Sequence, residues 1–360
     1  MRFTLSLGQQ AWAHDKARRA PQQALDTARA ADEGGIDAIW ASEDPDGWDA
    51  FAVLSAIATV TQSAALGTSV TSPYPRHPNM LAASVATLDR LSGGRAVLGL
   101  GRGQPEWHGA ALGTELGDPL VTLRETIDLM RAWDRPPYRA TSPSNGYFAV
   151  RDWERAIHPV QDRVPILLAA AGPKATALAA AVCDGVIFNV LTSDRALEKA
   201  IARVRDMATT AGRDANALWF VLRSTATVID SAETERAALD RGKNHLALVA
   251  TLPGMHRLYH LDGFDVPALL DDVRAIMRTE ETLAAGGGFP ALRRAGDLPA
   301  ARALIPDDLI RALGIIGTLP VVRERIAMLE RLGVTHVGLT PPREATSADA
   351  WQRLLADLRS

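Results

Sequence analysis

Only one cysteine, Cys183, stands in the 360 residues, so the chain can form no internal disulfide. It reads as a small core residue rather than a redox centre. Lysine is nearly as scarce, at positions 16, 174, 199 and 243, and the basic residues are mostly arginine. A net charge of −3 gives no general attraction to nucleic acid or to an anionic membrane. No apolar run approaches the ~18 residues needed to span a bilayer. The opening MRFTLSLGQQAW lacks the apolar stretch and processing site of a secretory leader, so a cytoplasmic protein is expected. Metal-ligand spacing is missing too, because His77, His108 and His158 are scattered. There is no Ser/His/Asp or Cys/His arrangement, and no G-x-G-x-x-G follows a first strand.

Apolar residues are plentiful at 47%, enough for a large core. Short β-branched runs alternate with helical patterns. Strands are predicted at 3–7, 36–40, 65–70, 96–100, 164–169, 185–190, 219–228 and 335–340. Between them, helices are predicted from Pro21 to the Gly34–Gly35 pair and at 49–61, 79–91, 118–133, 174–182, 194–211 and 321–332. A Pro-rich loop carries Pro136, Pro137 and Pro143. Eight βα repeats in one chain favour closure into a (β/α)8 TIM barrel over an open sheet. The whole chain, 1–360, is expected to be one domain. Residues 231–318 break the rhythm, with helical patterns, a Gly286–Gly287–Gly288 hinge and no clear strand. They read as a helical insertion before the last helix–strand pair. Following a strand's carboxyl end, it is either a lid over the active face or a dimer contact and scaffold.

In such a barrel the reactive residues come from the carboxyl ends of the strands. That places Ser42, Glu43 and Asp44 after strand two, and Thr71 and Ser72 after strand three. Gly101, Arg102, Gly103 and Gln104 follow strand four, and Gly172, Pro173 and Lys174 follow strand five. Asn189 closes strand six, and Arg223 and Ser224 lie along strand seven. This set is polar but sparse, as suits a site whose chemistry a cofactor carries. The run Ala169–Ala170–Ala171–Gly172–Pro173–Lys174 joins a strand end of tiny side chains to a helix amino terminus. Backbone N–H groups there can meet a phosphate, although a tight turn needs glycine on structural grounds alone.

The stretch LGTSVTSPYPRHPNMLAASVATLDRLSGGRAVLGLGRG (66–103) resembles the luciferase-like flavin and deazaflavin oxidoreductase superfamily. The closer resemblance is to its coenzyme F420-dependent, methylene-tetrahydromethanopterin reductase-like branch. IDAIWASEDPDGWDAF (36–51), AAAGPKATALAAAVCDGVIFN (169–189) and GTLPVVRERIAMLERLGVTHVGL (317–339) match in position and character. The resemblance implies a TIM-barrel oxidoreductase that uses coenzyme F420 for hydride transfer to or from a small organic substrate. Two alternatives share the barrel: a reduced-FMN monooxygenase, and a protein that binds flavin or deazaflavin without turnover. Relatives are often dimers, so a homodimer is expected, with no nucleic-acid or membrane partner.

The resemblance also assigns positions. The cofactor rings would rest on a bulge at Ser69, Val70, Thr71 and Ser72, with a non-prolyl cis peptide at Ser69–Val70. Gly101 and Gly103 would lie beside the rings, with Trp107 on the same loop. The phosphate would sit on Ala169, Ala170, Ala171, Gly172 and Pro173, with Asn189 nearby. Where relatives commonly carry a histidine facing the reactive ring carbon, this chain has Asp44, with Trp48 four residues on. Where a carboxylate often follows the Gly-x-Gly, it has Gln104, with Glu106 two further on. Asp44, Gln104 and Glu106 are therefore the candidate catalytic groups. Asp44 would handle a proton or bind substrate, unless it only caps its turn. Glu43 reads as structural, pairing with an arginine inside the barrel mouth. Trp48 and His77 are candidate substrate contacts, with core packing and helix capping as their plainer roles.

Overall fold

The computed structural model describes the chain except residues 14, 114, 171, 256–258 and 260 and the side chains of Gln10 and Ala11. Eight strands form the barrel: β1 (Arg2–Leu7), β2 (Ala38–Ala41), β3 (Ala65–Thr68), β4 (Ala96–Leu100), β5 (Ile166–Ala169), β6 (Gly185–Phe188), β7 (Trp219–Val228) and β8 (His336–Leu339). Each pairs in parallel with the next, and β8 pairs with β1 to close the circle. The (β/α)8 expectation holds, and β4 and β7 have the predicted limits. β2 starts two residues late because the Ile36 N–H still closes the preceding helix onto Ala31.

Sequence periodicity explains where the layers lie. On the purely parallel strands one side-chain row faces the surrounding helices and the alternate row faces the barrel axis. Ala38, Trp40, Val97, Leu167, Ile187 and Val221 make the inner cluster, distinct from the larger core between strands and helices. Glycines on this inner row make room for it. A Cβ on Gly67 would lie 2.5 Å from the Trp40 ring, and one on Gly99 2.0 Å from the Thr68 carbonyl oxygen. At the lower end the His336 ring stacks on Trp219.

Two expectations need correction. The Pro-rich loop contains a short antiparallel pair, Arg139–Ala140 with Trp153–Glu154. The inserted segment, read as having no clear strand, contains Ile315–Gly317 in parallel with Ala226–Val228. At ten residues, β7 outlasts its four-residue neighbours β6 and β8, so its last backbone groups are free to pair again. The rest of its described residues are mostly helical, from Ala232–His245 through Val266–Met277 to Asp307–Leu313, with turns and a Leu261–Phe264 bridge before Val266. It builds its own apolar cluster around Leu246, Val266, Leu270 and Leu309, and takes in Trp107 and Leu191 from the barrel loops.

Candidate active site

The bulge after β3 is pinned from both sides. Ser69 N–H donates to Ala41 O at 2.9 Å and Thr71 N–H to Gly99 O at 3.0 Å. Gly101 N–H donates to Thr71 O at 2.8 Å, and Glu43 N–H to Val70 O at 3.1 Å. Within it, the Ser69–Val70 peptide is cis, at the bond the resemblance indicated. A Cβ on Gly101 would lie 2.6 Å from Val70 Cγ2 and 3.5 Å from Ala169 Cβ. The ends of β3, β4 and β5 therefore meet in a cradle that only glycine at 101 leaves undisturbed. Gly101→Ala should push Val70 out of place and weaken cofactor binding about 10-fold, roughly 1.4 kcal/mol. Adding Val70→Ala, which removes the clashing methyl, should restore most of that loss. Side-by-side titration of both variants checks the pair.

The loop after β4 runs back under the bulge. Gly103 has φ +65°, and a Cβ there would strike His108 Nε2. His108 Nε2 lies 2.7 Å from the Ser72 hydroxyl oxygen, and burial lowers the imidazole's pKa, which keeps it neutral. Gln104 is buried and its amide donates to the Glu106 carboxylate, so the two candidate groups act as one pair. Trp107 is buried edge-on against Phe289 of the insertion at 4.4 Å between ring centres.

After β2, the two acidic neighbours diverge. Glu43 is committed to structure: it accepts from the Ala50 N–H and the Thr71 hydroxyl, and pairs with Arg76 at 2.8 Å. The expected arginine partner is thus Arg76. Asp44 faces the mouth. Its Oδ2 accepts from Gln9 Nε2 at 2.9 Å, while Gln9 Oε1 accepts the Trp48 N–H at 3.2 Å. Burial raises the Asp44 pKa, helped by the Asp46 charge, while Arg223 and the Gln9 bond oppose the rise. Trp48 donates its indole N–H to Ser42 O at 2.7 Å and meets Trp12 edge-on.

On the far side, Ala169 and Ala170 run into the helix Pro173–Val182, whose first residues Gly172, Pro173 and Lys174 are exposed. Ala171 lies outside the described residues. The first-turn N–H groups have no partners within the helix, and nothing lies within 4 Å of a Cβ on Gly172. Asn189 follows β6 directly and donates to the Tyr259 hydroxyl at 3.4 Å. His77 is apart from this grouping. It is exposed, caps the helix Pro78–Ser92 through Asn79 N–H, and packs on Phe148.

Three residues at the mouth were not singled out from the sequence. Gln9 lies just past β1, so the strand-end rule could have found it. His245 and Tyr259 come from the insertion, their side chains joined by a 2.8 Å hydrogen bond. Burial and the Arg223 charge push the His245 imidazole down to about 3, and burial raises the Tyr259 phenol. Both are neutral at ordinary pH. Among the described residues no group of three or more His, Cys, Asp or Glu side chains could hold a metal. None of the described helices is long and apolar enough to cross a membrane.

Residues 1–336 match the family described as luciferase-like monooxygenase, and the chain belongs to this family of TIM-barrel enzymes. It is 31% identical over 341 residues to a Mycobacterium tuberculosis protein that bears the name of a coenzyme F420-dependent oxidoreductase, covering 89% of this chain and 91% of the relative. It is 30% identical over 310 residues to the 5,10-methylenetetrahydromethanopterin reductase of Methanolobus tindarius, covering 86% and 87%. The fold matches the coenzyme F420-dependent tetrahydromethanopterin reductase of Methanopyrus kandleri with a TM-score of 0.73 at 22% identity, over 98% of this chain and 96% of that one.

Proposed function

We propose that the protein is a coenzyme F420-dependent oxidoreductase acting on a small organic substrate. The observation that carries this is the cradle, where the ends of β3, β4 and β5 meet so closely that a Cβ on Gly101 would lie 2.6 Å from Val70 Cγ2 and 3.5 Å from Ala169 Cβ. Val70, Gly101 and Gly103 would back the ring system. The turn that runs from the half-buried Ala169 and the buried Ala170 out to the exposed Gly172 and Pro173 would hold the phosphate by backbone N–H groups. When bound, the coenzyme supplies a hydride donor or acceptor at carbon 5 of the deazaflavin.

The chain's own residues hold the proton and keep water out. Asp44, its pKa raised by burial, would hold or pass a proton at one oxygen while Gln9 fixes the other. Glu106, tied by Gln104, is the second acid. The insertion acts as a cover. A Cβ on Gly286 would meet Ala110 at 2.8 Å and one on Gly288 the Asp46 carboxylate at 2.9 Å, so these glycines let it lie against the loops after both β4 and β2. A homodimer fits the exposed apolar side chains Met80 and Leu91 on the helix Pro78–Ser92, Trp153 on the short hairpin, and Ile157 and Val160 just after it.

The competing reading, a reduced-FMN monooxygenase, is favoured by the description of the family itself. The phosphate turn separates the two. FMN ends in a dianion, which favours a closed, charge-matched pocket. The coenzyme F420 phosphate is a diester whose lactyl and polyglutamyl tail needs an open exit. Here Gly172 and Pro173 of the turn are exposed and Lys174 is its one nearby cation in sequence. Titrating the protein with both should give coenzyme F420 at least ~10-fold tighter than FMN, about 1.4 kcal/mol. Equal or tighter FMN binding, with oxygen-dependent turnover on reduced FMN, would promote the monooxygenase.

A further inference from the structure

Arg223 stands apart from the other arginines of the barrel. It continues the inward row Trp219–Val221, one step above the inner cluster, so it reaches the mouth. There β7 bulges against β8. Val337 pairs with Leu222 and Gly338 with Thr225, so Arg223 and Ser224 are skipped. The Ser224 hydroxyl then accepts the Leu191 N–H at 3.0 Å, which anchors the bulge to the loop after β6. The Arg223 side chain is only partly exposed. Yet among the described residues nothing accepts a hydrogen bond from it, and no carboxylate lies within ion-pair distance. Three counterparts are engaged, Arg76 with Glu43 and Asp49, Arg131 with Asp184, and Arg95 with the carbonyls of Thr61, Ala64 and Ser92, and Arg205 on a barrel helix lies over the Phe220 ring. A partly exposed guanidinium with no acceptor from the protein keeps its donors open to a ligand that enters the mouth.

Its surroundings narrow the ligand. The charge of Arg223 is felt by Asp44, His245 and Tyr259, so the guanidinium sits between the loop after β2 and the insertion. His245 is neutral there, and no second cation joins it among these groups. Across from it the loop after β2 carries Asp46 beside Asp44, while Glu43 is paired with Arg76. One cation facing that loop suits a planar monoanion, which the guanidinium fork can meet with two parallel bonds, better than a phosphate dianion. The neutral Tyr259 hydroxyl, which the Arg223 charge reaches, is hydrogen-bonded to His245 and Asn189.

We propose that Arg223 is the anchor for a carboxylate on the substrate. The assignment rests on the oxidoreductase reading above for the word substrate, but the binding it asserts can be measured without turnover. The coenzyme's glutamyl tail also carries carboxylates, and the experiment separates that source.

The test titrates the full-length protein, with and without bound coenzyme F420, using benzoate, its neutral isostere benzamide, and phenyl phosphate. Arg223→Gln and Arg223→Lys are titrated alongside. Wild type should bind benzoate at least ~10-fold tighter than benzamide and tighter than phenyl phosphate. Arg223→Gln should erase the benzoate preference, Arg223→Lys should keep part of it, and coenzyme F420 affinity should stay within about three-fold in both. Equal binding of benzoate and benzamide by wild type overturns the proposal, and needs no variant to fold. So does tighter binding of phenyl phosphate, or a loss of coenzyme affinity in Arg223→Gln with benzoate binding intact, which would assign the arginine to the coenzyme tail. Failure of wild type to bind coenzyme F420 at all would instead refute the cofactor reading, and the benzoate preference would still decide this one.

Discussion

Replacing Asp44 with Asn should lower turnover about 10²-fold or more while leaving coenzyme F420 affinity within a few-fold. Asn keeps the side chain's size and can still accept the Gln9 amide through its oxygen, so the loop after β2 should hold its shape. What disappears is the proton. The same substitution should stabilise the fold. Burial and Asp46 raise the Asp44 pKa above the ordinary carboxylate value near ~4. Between that ordinary value and the raised one, the folded chain therefore holds more protons than the unfolded chain. Stability from this group falls as pH climbs through that window. Asn has no such dependence. The melting temperature of Asp44→Asn should thus exceed that of wild type by a margin that grows from acidic pH and levels off once wild-type Asp44 has ionised. Thermal melts across pH 4 to 8, run beside steady-state kinetics, give both readouts. Unchanged kinetics would return Asp44 to a turn-forming role. Lost cofactor binding with normal turnover at saturation would mean it holds the coenzyme instead.

Most of the barrel could be read from the chain because parallel strands buried on both faces appear as continuous apolar runs bounded by glycine and proline. The strand-end rule also put Gly101 and Ala169 at the mouth, whereas the bulge at Val70 that meets them was indicated only by the resemblance. What escaped notice lacks a local signal. The pair Arg139–Ala140 and Trp153–Glu154 is too short to show a period, and Ile315–Gly317 exists only because β7 runs past its neighbours. Tyr259 meets Asn189 across 70 residues of sequence, inside a segment whose pattern says helix but not which loop it covers. Arg223 could be assigned to the mouth from its strand. That its guanidinium would be left without an acceptor depends on the two-residue bulge against β8, which no alternation of side chains announces.

The second large effect concerns Glu43, and it is structural. Only 8% of its side chain is exposed, against 21% for Arg76. Its carboxylate gathers three elements: the Ala50 N–H at the start of the helix Ala50–Ala58, the hydroxyl of Thr71 in the bulge, and the Arg76 guanidinium beyond it. Glu43→Ala would leave the fully buried Thr71 hydroxyl without this acceptor and Arg76 with half its anionic partners. Removing one partner of a buried ion pair costs about 3–5 kcal/mol. The lower end applies here, because Arg76 keeps Asp49 at 2.7 Å, although that carboxylate is half exposed. Arg76 also lies over the Phe51 ring, 5.2 Å from its centre, and that contact would persist. Glu43→Gln, which preserves the shape and acceptor oxygen but not the charge, should recover part of the loss. Urea unfolding of the three proteins measures the stability difference. Because Thr71 belongs to the bulge that carries Val70, cofactor affinity should fall in the same order, Ala below Gln below wild type. A large loss of stability with affinity unchanged in the folded fraction would show that the bulge is held without Glu43, by the backbone bonds to Ala41 and Gly99 alone.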